Sequence, residues 1–327
     1  MTSVNQITSD FSALLAGALA TAAALPFWRG WCRRHGVVDD PGHRKIHATP
    51  IPLAGGLAVM SGLLLPLLAG ALFAVGHSRP GMVGLFQYGW NRRVVQLLGI
   101  TAGAFGMLII GLLDDKVELP PAIKFSAQLA VALAVAASGV RITLFVPNIL
   151  FSYAITALWI LTVVNAFNFM DNMNGLCAGL GAVGAASFGF ISARAGQYLV
   201  ATMAFLVAGA LLGFLPYNFP RATAFLGDSG SHLVGYLLAV LGILPHFYTP
   251  KHPRMLAVLT PLLILAVPLA DLAWVVLLRW RMRQPFYLGD TNHLSHRLVR
   301  RGWNTSQAVP IIWLWAALSG ALAFFWQ

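Results

Sequence analysis

Charge is what this sequence has least of. Asp, Glu, Lys and Arg make up 9% of its 327 residues, and only ten of them are acids. A soluble domain carries about 25% charged residues, so an ordinary water-soluble globular fold is excluded. Cysteine is nearly absent too. Cys32 and Cys177 stand alone, which excludes a cysteine zinc site or a disulfide scaffold and leaves two reduced structural thiols. Internal repeats and low-complexity segments are missing, so solenoids and disordered tails fall away. No nucleic-acid-binding module is present. The net charge of +11 is therefore set against anionic lipid or a phosphorylated ligand.

What the chain does have is apolar length. Hydrophobic residues make up 58% of it, and its mean hydropathy is +0.75. A helix crossing a bilayer needs about 20 mostly apolar residues. Ten runs meet that need, near 8–28, 51–75, 94–113, 122–138, 151–168, 175–193, 198–215, 232–248, 254–278 and 305–326. They are continuous rather than alternating, which excludes a transmembrane barrel. The expectation is an all-α, polytopic integral membrane protein with about ten transmembrane helices, forming one domain over 1–327. The first run is read as a retained helix, because more spans follow it. Glycines such as Gly55, Gly56, Gly179, Gly181 and Gly184 suit close helix packing in lipid.

With ten spans, the Lys and Arg residues divide 14 to 7 between the two faces. The richer face is cytoplasmic by the positive-inside rule. The three arginines of the 76–93 segment run against that division. Eight of the ten acids lie on the cytoplasmic side: Asp39, Asp40, Asp114, Asp115, Glu118, Asp171, Asp228 and Asp290. The charge rule does not demand this bias, so chemistry is expected at the cytoplasmic edge.

Five polar clusters lie along that edge. His43 to Pro50 puts Lys45 and His47 just before a span, suited to a phosphate or a base or else to a snorkelling flank. Asp114 and Asp115 are adjacent acids near Lys124, and such a pair needs a cation, a proton or water. Asn165, Asn168 and Asp171 are spaced by three, which places them on one helical face. Asn174 follows, in Asp171-Asn172-Met173-Asn174-Gly175. Asn218 and then Phe225-Leu226-Gly227-Asp228-Ser229-Gly230-Ser231 read as a helix N-terminus open to an anion, with Asp228 suited to a metal. His293, His296 and Arg297 could clamp a diphosphate, or they could form a basic interfacial helix. Asp271 lies inside the ninth span, as a buried structural acid or a support for the histidine loop.

In this order and on this side the clusters resemble the polyprenyl-phosphate N-acetylhexosamine-1-phosphate transferases. The matches fall at Lys45/His47/Gly55/Gly56, Asp114/Asp115, Asn165/Asn168/Asp171, Phe225/Gly227/Asp228/Gly230/Ser231 and His293/His296. The resemblance covers nearly the whole chain. It implies Mg²⁺-dependent transfer, with Mn²⁺ as the substitute ion. A sugar 1-phosphate would pass from a UDP-N-acetylhexosamine to undecaprenyl phosphate in the bacterial inner membrane, releasing UMP. By resemblance Asp228 leads the metal ligands with Asp171, and Asp114, Asp115 and Asp171 line the reacting phosphates. Phe225, Asn218 and Lys45 would face uridine, while His293, His296 and Arg297 would hold diphosphate or sugar.

Two departures stand out. The family usually has Asp-Gly-x-Asp-Gly where this chain has Asp171-Asn172-Met173-Asn174-Gly175, and His-x-His-His where it has His293-Leu294-Ser295-His296. The triple-histidine run of the muramoyl-pentapeptide branch is also missing, which favours the N-acetylglucosamine branch. The muramoyl-pentapeptide reaction, a non-catalytic lipid or solute transporter and a degenerate partner-binding member stay open as alternatives, as does a homodimer.

Overall fold

A computed structural model describes residues 3–40, 49–77, 80–247, 255–285 and 291–326, without the side chains of 74–92 and 255. The expected Lys45, His47 and Asp290 lie outside the described residues. The described chain is built from helices, because a backbone in lipid must satisfy its own hydrogen bonds. In order they are α1 Ser3–Arg34, α2 Gly55–His77, α3 Pro80–Val117, α4 Pro121–Ala137, α5 Ile149–Met170 and α6 Leu176–Arg194. Then come α7 Tyr198–Asn218, α8 Gly227–Ile243, α9 Thr260–Ile264, α10 Ala266–Arg281, α11 Leu294–Arg300 and α12 Thr305–Trp326. A two-residue antiparallel ribbon, Val38–Asp39 against Ile51–Pro52, closes the α1–α2 connection.

All ten apolar runs are mainly helical over their described residues, but the expected count of ten spans is not met. Among the described residues seven helices are long and apolar enough to cross a membrane, or up to eight with one bent pair. The reasons are physical. Helices α4 and α8 have 17 residues each. At 1.5 Å per residue that is about 26 Å, short of a full hydrocarbon core. The ninth run is bent by 78° between Leu256–Ile264 and Ala266–Arg281. The Ser319 hydroxyl donates to the Leu263 carbonyl beside that break. The segment expected as a loop around 76–93 is helical from Pro80, so α3 starts well before residue 94.

Helix α8 is the hub, touching α2, α3, α5, α6 and α7. It is buried all round, as an interior helix should be. Two glycines let neighbours press against its first turn. A Cβ on Gly56 of α2 would lie 2.6 Å from the Gly230 nitrogen, and one on Gly111 of α3 would strike the Asp228 and Ser229 backbone. The α1–α7 crossing uses the same device. A Cβ on Gly17 would sit 2.6 Å from the Leu206 carbonyl, and Gly209 and Gly213 of α7 meet the α1 backbone. The polar first turn of α8 is therefore held in place by its neighbours.

Candidate active site

The ends of α3, α5, α7 and α10 meet the starts of α2, α4 and α8 at one end of the bundle. The site is built there. Asp114 closes the α3–α4 turn: its Oδ1 accepts from the Leu119 amide at 2.8 Å. Its Oδ2 lies 2.5 Å from the Lys124 ammonium. Lys124 sits in the first turn of α4 because Pro120 and Pro121 end one helix and start the next. The same ammonium is 3.5 Å from Asp228 Oδ2. Lys124 thus bridges two carboxylates from α3 and α8.

Asp228 is oriented from its other side. The Asn168 amide of α5 donates to Asp228 Oδ1 and, at 3.0 Å, to the Ser231 hydroxyl. Asn165 lies one turn deeper, where its amide donates to the Gln128 oxygen at 3.0 Å. Gln128 in turn meets His232 at 3.2 Å. Because Asn165 occupies the Gln128 oxygen, the Gln128 amide is the donor to His232. Gln128 and His232 were not singled out in the sequence. A polar residue one turn beyond Lys124 and another one turn beyond Asp228 are the signal that could have found them.

Asp115 has a different occupation. Its two oxygens accept from the Asp228 and Ser229 amides at 2.7 and 3.0 Å. A carboxylate from α3 therefore caps the N-terminus of α8, where the helix dipole favours negative charge. Gly227 enters that turn at φ 73, and a Cβ there would lie 2.7 Å from Asp115. The pattern expected a substrate-facing acid here. Its geometry makes it the post on which Asp228 stands.

Asp171 ends α5 and lies just outside the membrane-spanning segment. Burial and the charges of Asp228 and Asp115 raise its carboxyl well above the usual range, against a hydrogen bond from the Gly227 amide. Four carboxylates thus gather at this end of the bundle, two of them on one ammonium. That excess of hard oxygen and negative charge is what a divalent cation neutralises. Among the described residues no group of three His, Cys, Asp or Glu side chains could hold a metal unaided. Mg²⁺ is commonly held by one or two carboxylates together with substrate phosphates, and Asp228 and Asp171 are the residues that could supply them.

The expected uridine wall is only partly assembled. Asn218 is buried, accepting from the Gly175 amide at 2.6 Å and donating to the Ala224 carbonyl at 3.0 Å. It ties the 171–175 loop to the 219–226 loop, so its amide serves the protein itself. Asn174 is half-buried and donates to the Pro220 carbonyl at 3.3 Å. Phe225 pairs through its backbone with Pro52 and Gly55, both at 3.0 Å, and its ring stays half-exposed.

The last wall comes from α10 and α11. Asp271 accepts from His293 Nδ1 at 2.7 Å and from the Leu294 amide at 2.6 Å. The buried acid of the ninth span therefore supports the histidine loop. His293 packs edge-on against Phe169, whose other contact is the buried Arg279 guanidinium 5.0 Å from its centroid. His296 lies 6.3 Å from His293, and Arg297 stacks on Trp274 at 4.8 Å. His296 and Arg297 remain half-exposed beside the acid cluster's end of the bundle.

An all-α bundle with seven or eight membrane-length helices among the described residues, and a carboxylate–lysine cluster at one end, is a polytopic membrane protein. Comparison with known proteins sharpens the class. The family model described as "Glycosyl transferase family 4" matches residues 97–246. A Bacillus subtilis relative, a probable undecaprenyl-phosphate N-acetylglucosaminyl 1-phosphate transferase, is 31% identical over 85% of this chain and 74% of its own. A Mycobacterium tuberculosis relative, a decaprenyl-phosphate N-acetylglucosaminephosphotransferase, is 33% identical over 93% and 79%. The undecaprenyl-phosphate alpha-N-acetylglucosaminyl 1-phosphate transferase of Escherichia coli is 29% identical over 93% and 80%. The chain belongs to glycosyl transferase family 4 and is a phosphoglycosyl transferase.

Proposed function

We propose that this protein transfers N-acetylglucosamine 1-phosphate from UDP-N-acetylglucosamine to a polyprenyl phosphate such as undecaprenyl phosphate, releasing UMP. The observation that carries the reading is that Asp114 and Asp228 share the Lys124 ammonium at one end of the bundle, with the Asp171 carboxyl beside Asp228. An acceptor arriving from the bilayer and a nucleotide arriving from water can meet only at such an edge. The names of the relatives support N-acetylglucosamine and a polyprenyl phosphate. The inner membrane and the cytoplasmic face are proposed on the 14-to-7 division of basic residues.

In the transfer, an oxygen of the acceptor phosphate forms a bond to the β-phosphorus of the donor. The bond from that phosphorus to the bridging oxygen breaks, and UMP leaves with the electron pair. The acceptor's second pKa is about 6, so it is largely ionised at neutral pH and needs no obligatory base. Asp114 then holds Lys124, and the Lys124 ammonium offsets phosphate charge. Asp228 and Asp171 would hold Mg²⁺, which when bound supplies charge neutralisation and alignment of the diphosphate. Asn168 keeps Asp228 turned toward the site. Arg297 and His296 would meet the donor diphosphate or sugar, and the Phe225 ring the uracil face.

A transporter reading would expect charges at mid-membrane and broken helices. One break is present at Leu265, but Asp271 in the following helix is consumed by His293 and Leu294. The test is a donor screen with purified protein, Mg²⁺ and undecaprenyl phosphate. UMP release is expected with UDP-N-acetylglucosamine and not with UDP-N-acetylmuramoyl-pentapeptide. No UMP from any UDP-amino sugar would refute the transferase reading, and preference for the pentapeptide donor would move the protein to the other branch.

A further inference from the structure

Asn172 and Ser295 are 123 residues apart in sequence, yet the Ser295 hydroxyl donates to Asn172 Oδ1 at 2.7 Å. Ser295 is fully buried. Asn172 is braced from behind, because its amide donates to the Phe169 carbonyl at 2.6 Å. The two side chains therefore make a strut between the C-terminal end of α5 and α11. Asp171 adjoins one foot of the strut. His296 and Arg297 directly follow the other on a helix of seven residues, Leu294–Arg300, short enough to move as one body. The second anchor of that helix is Asp271, which holds His293 and the Leu294 amide on α10. Without the strut α11 keeps its ties to α10 and α12 and the edge contact of His293 on Phe169, but it loses its hydrogen bond to the α5 end that carries Asp171.

We propose that Asn172 and Ser295 are a positioning pair for the sugar nucleotide. Their hydrogen bond fixes the gap between the Asp171 carboxylate and the His296–Arg297 turn, and a donor diphosphate with its sugar must bridge that gap. The inference rests on the transferase reading above, and it concerns the donor alone. On this proposal the polyprenyl phosphate reaches the acid cluster from the bilayer without crossing this gap.

The test measures donor and acceptor KM separately for the wild type, Ser295→Ala, Asn172→Ala and the double variant, by UMP release. Each single change leaves one polar partner unmet, and the donor KM is expected to rise about tenfold. The KM for undecaprenyl phosphate is expected to stay within about twofold, and Ser295→Thr, which keeps the hydroxyl, to restore the donor KM. The double variant is expected to be no worse than Asn172→Ala, because the Ser295 hydroxyl then has no bond to Asn172 left to break. Asn172 is half-buried, so Asn172→Ala carries the test if a variant of the buried serine does not fold. An unchanged donor KM in an active Asn172→Ala variant would overturn the proposal. So would donor and acceptor KM rising together, or losses that multiply in the double variant. A wild type that releases no UMP overturns the transferase reading and this inference with it. An active wild type with a null result in the variants overturns the inference alone.

Discussion

Asp115→Asn separates two roles that the sequence alone cannot tell apart. In the structure both Asp115 oxygens are committed to the Asp228 and Ser229 amides, at 2.7 and 3.0 Å. Asparagine keeps the shape and one acceptor but turns an NH₂ group toward the second amide. One charge-assisted bond is lost and the other loses its charge. Bonds to charged groups contribute about 1.5–3 kcal/mol each, so the loss is about 3 kcal/mol. Removing one acid from a cluster that holds Asp171 and Asp228 returns about 1 kcal/mol of repulsion. The net destabilisation is about 2 kcal/mol, which lowers the unfolding temperature of a domain this large by about 4 °C. Thermal unfolding in detergent micelles measures it, with the exposed Glu118→Gln as the control. Activity falls as well, because Asp228 shifts with its helix. A variant that loses transfer while unfolding with the wild type would refute the capping argument and put Asp115 on the substrate.

Three other changes follow from the same geometry. Lys124→Met leaves Asp114 and Asp228 without their shared cation and removes an ammonium from the phosphates; kcat/KM for UMP release should fall about 100-fold, with Lys124→Arg recovering part of it. Asp171→Asn removes a buried charge that Asp228 and Asp115 oppose, so the metal-free protein should unfold at a higher temperature while transfer is lost, a trade checked by unfolding in EDTA beside a turnover assay. Gly209→Ala drives a methyl into the α1 backbone at the α1–α7 crossing and should cost about 2 kcal/mol or more in micelle unfolding, whereas Gly30→Ala, with open space beside it, should leave stability unchanged or slightly raised.

Much of the architecture was legible because lipid imposes it. Continuous apolar runs can only become helices there, and each of the ten runs did. Their number as spans was not legible, since periodicity does not reveal that α4 and α8 stop at 17 residues or that the chain bends at Leu265. The acid cluster was legible for a similar reason. Asp114 and Asp171 sit where apolar runs end and Asp228 where one begins, and a chain that alternates direction across the membrane brings such ends to one side. Partner choice was not. Asn165 and Asn168 share a face as their spacing implied, but one serves Gln128 and the other Asp228. Asn218 looked like a ligand and is a strut between two loops. Asp115 and Asp114 are neighbours with opposite tasks, because consecutive helical residues point about 100° apart. Such assignments depend on which helix lies opposite, and a single sequence does not carry that information.

The central claim is that the Asp228 carboxylate, held by Asn168 and poised beside Lys124, is where a cation joins the reacting diphosphate to the protein. Its most direct measurement is UMP release from UDP-N-acetylglucosamine with undecaprenyl phosphate, for wild type and Asp228→Asn, titrated with Mg²⁺ after EDTA treatment. Wild-type turnover is expected to vanish in EDTA and return with Mg²⁺, while Asp228→Asn stays at least about 100-fold lower at every Mg²⁺ concentration. Turnover in EDTA, or an Asp228→Asn variant that matches the wild type, would contradict it.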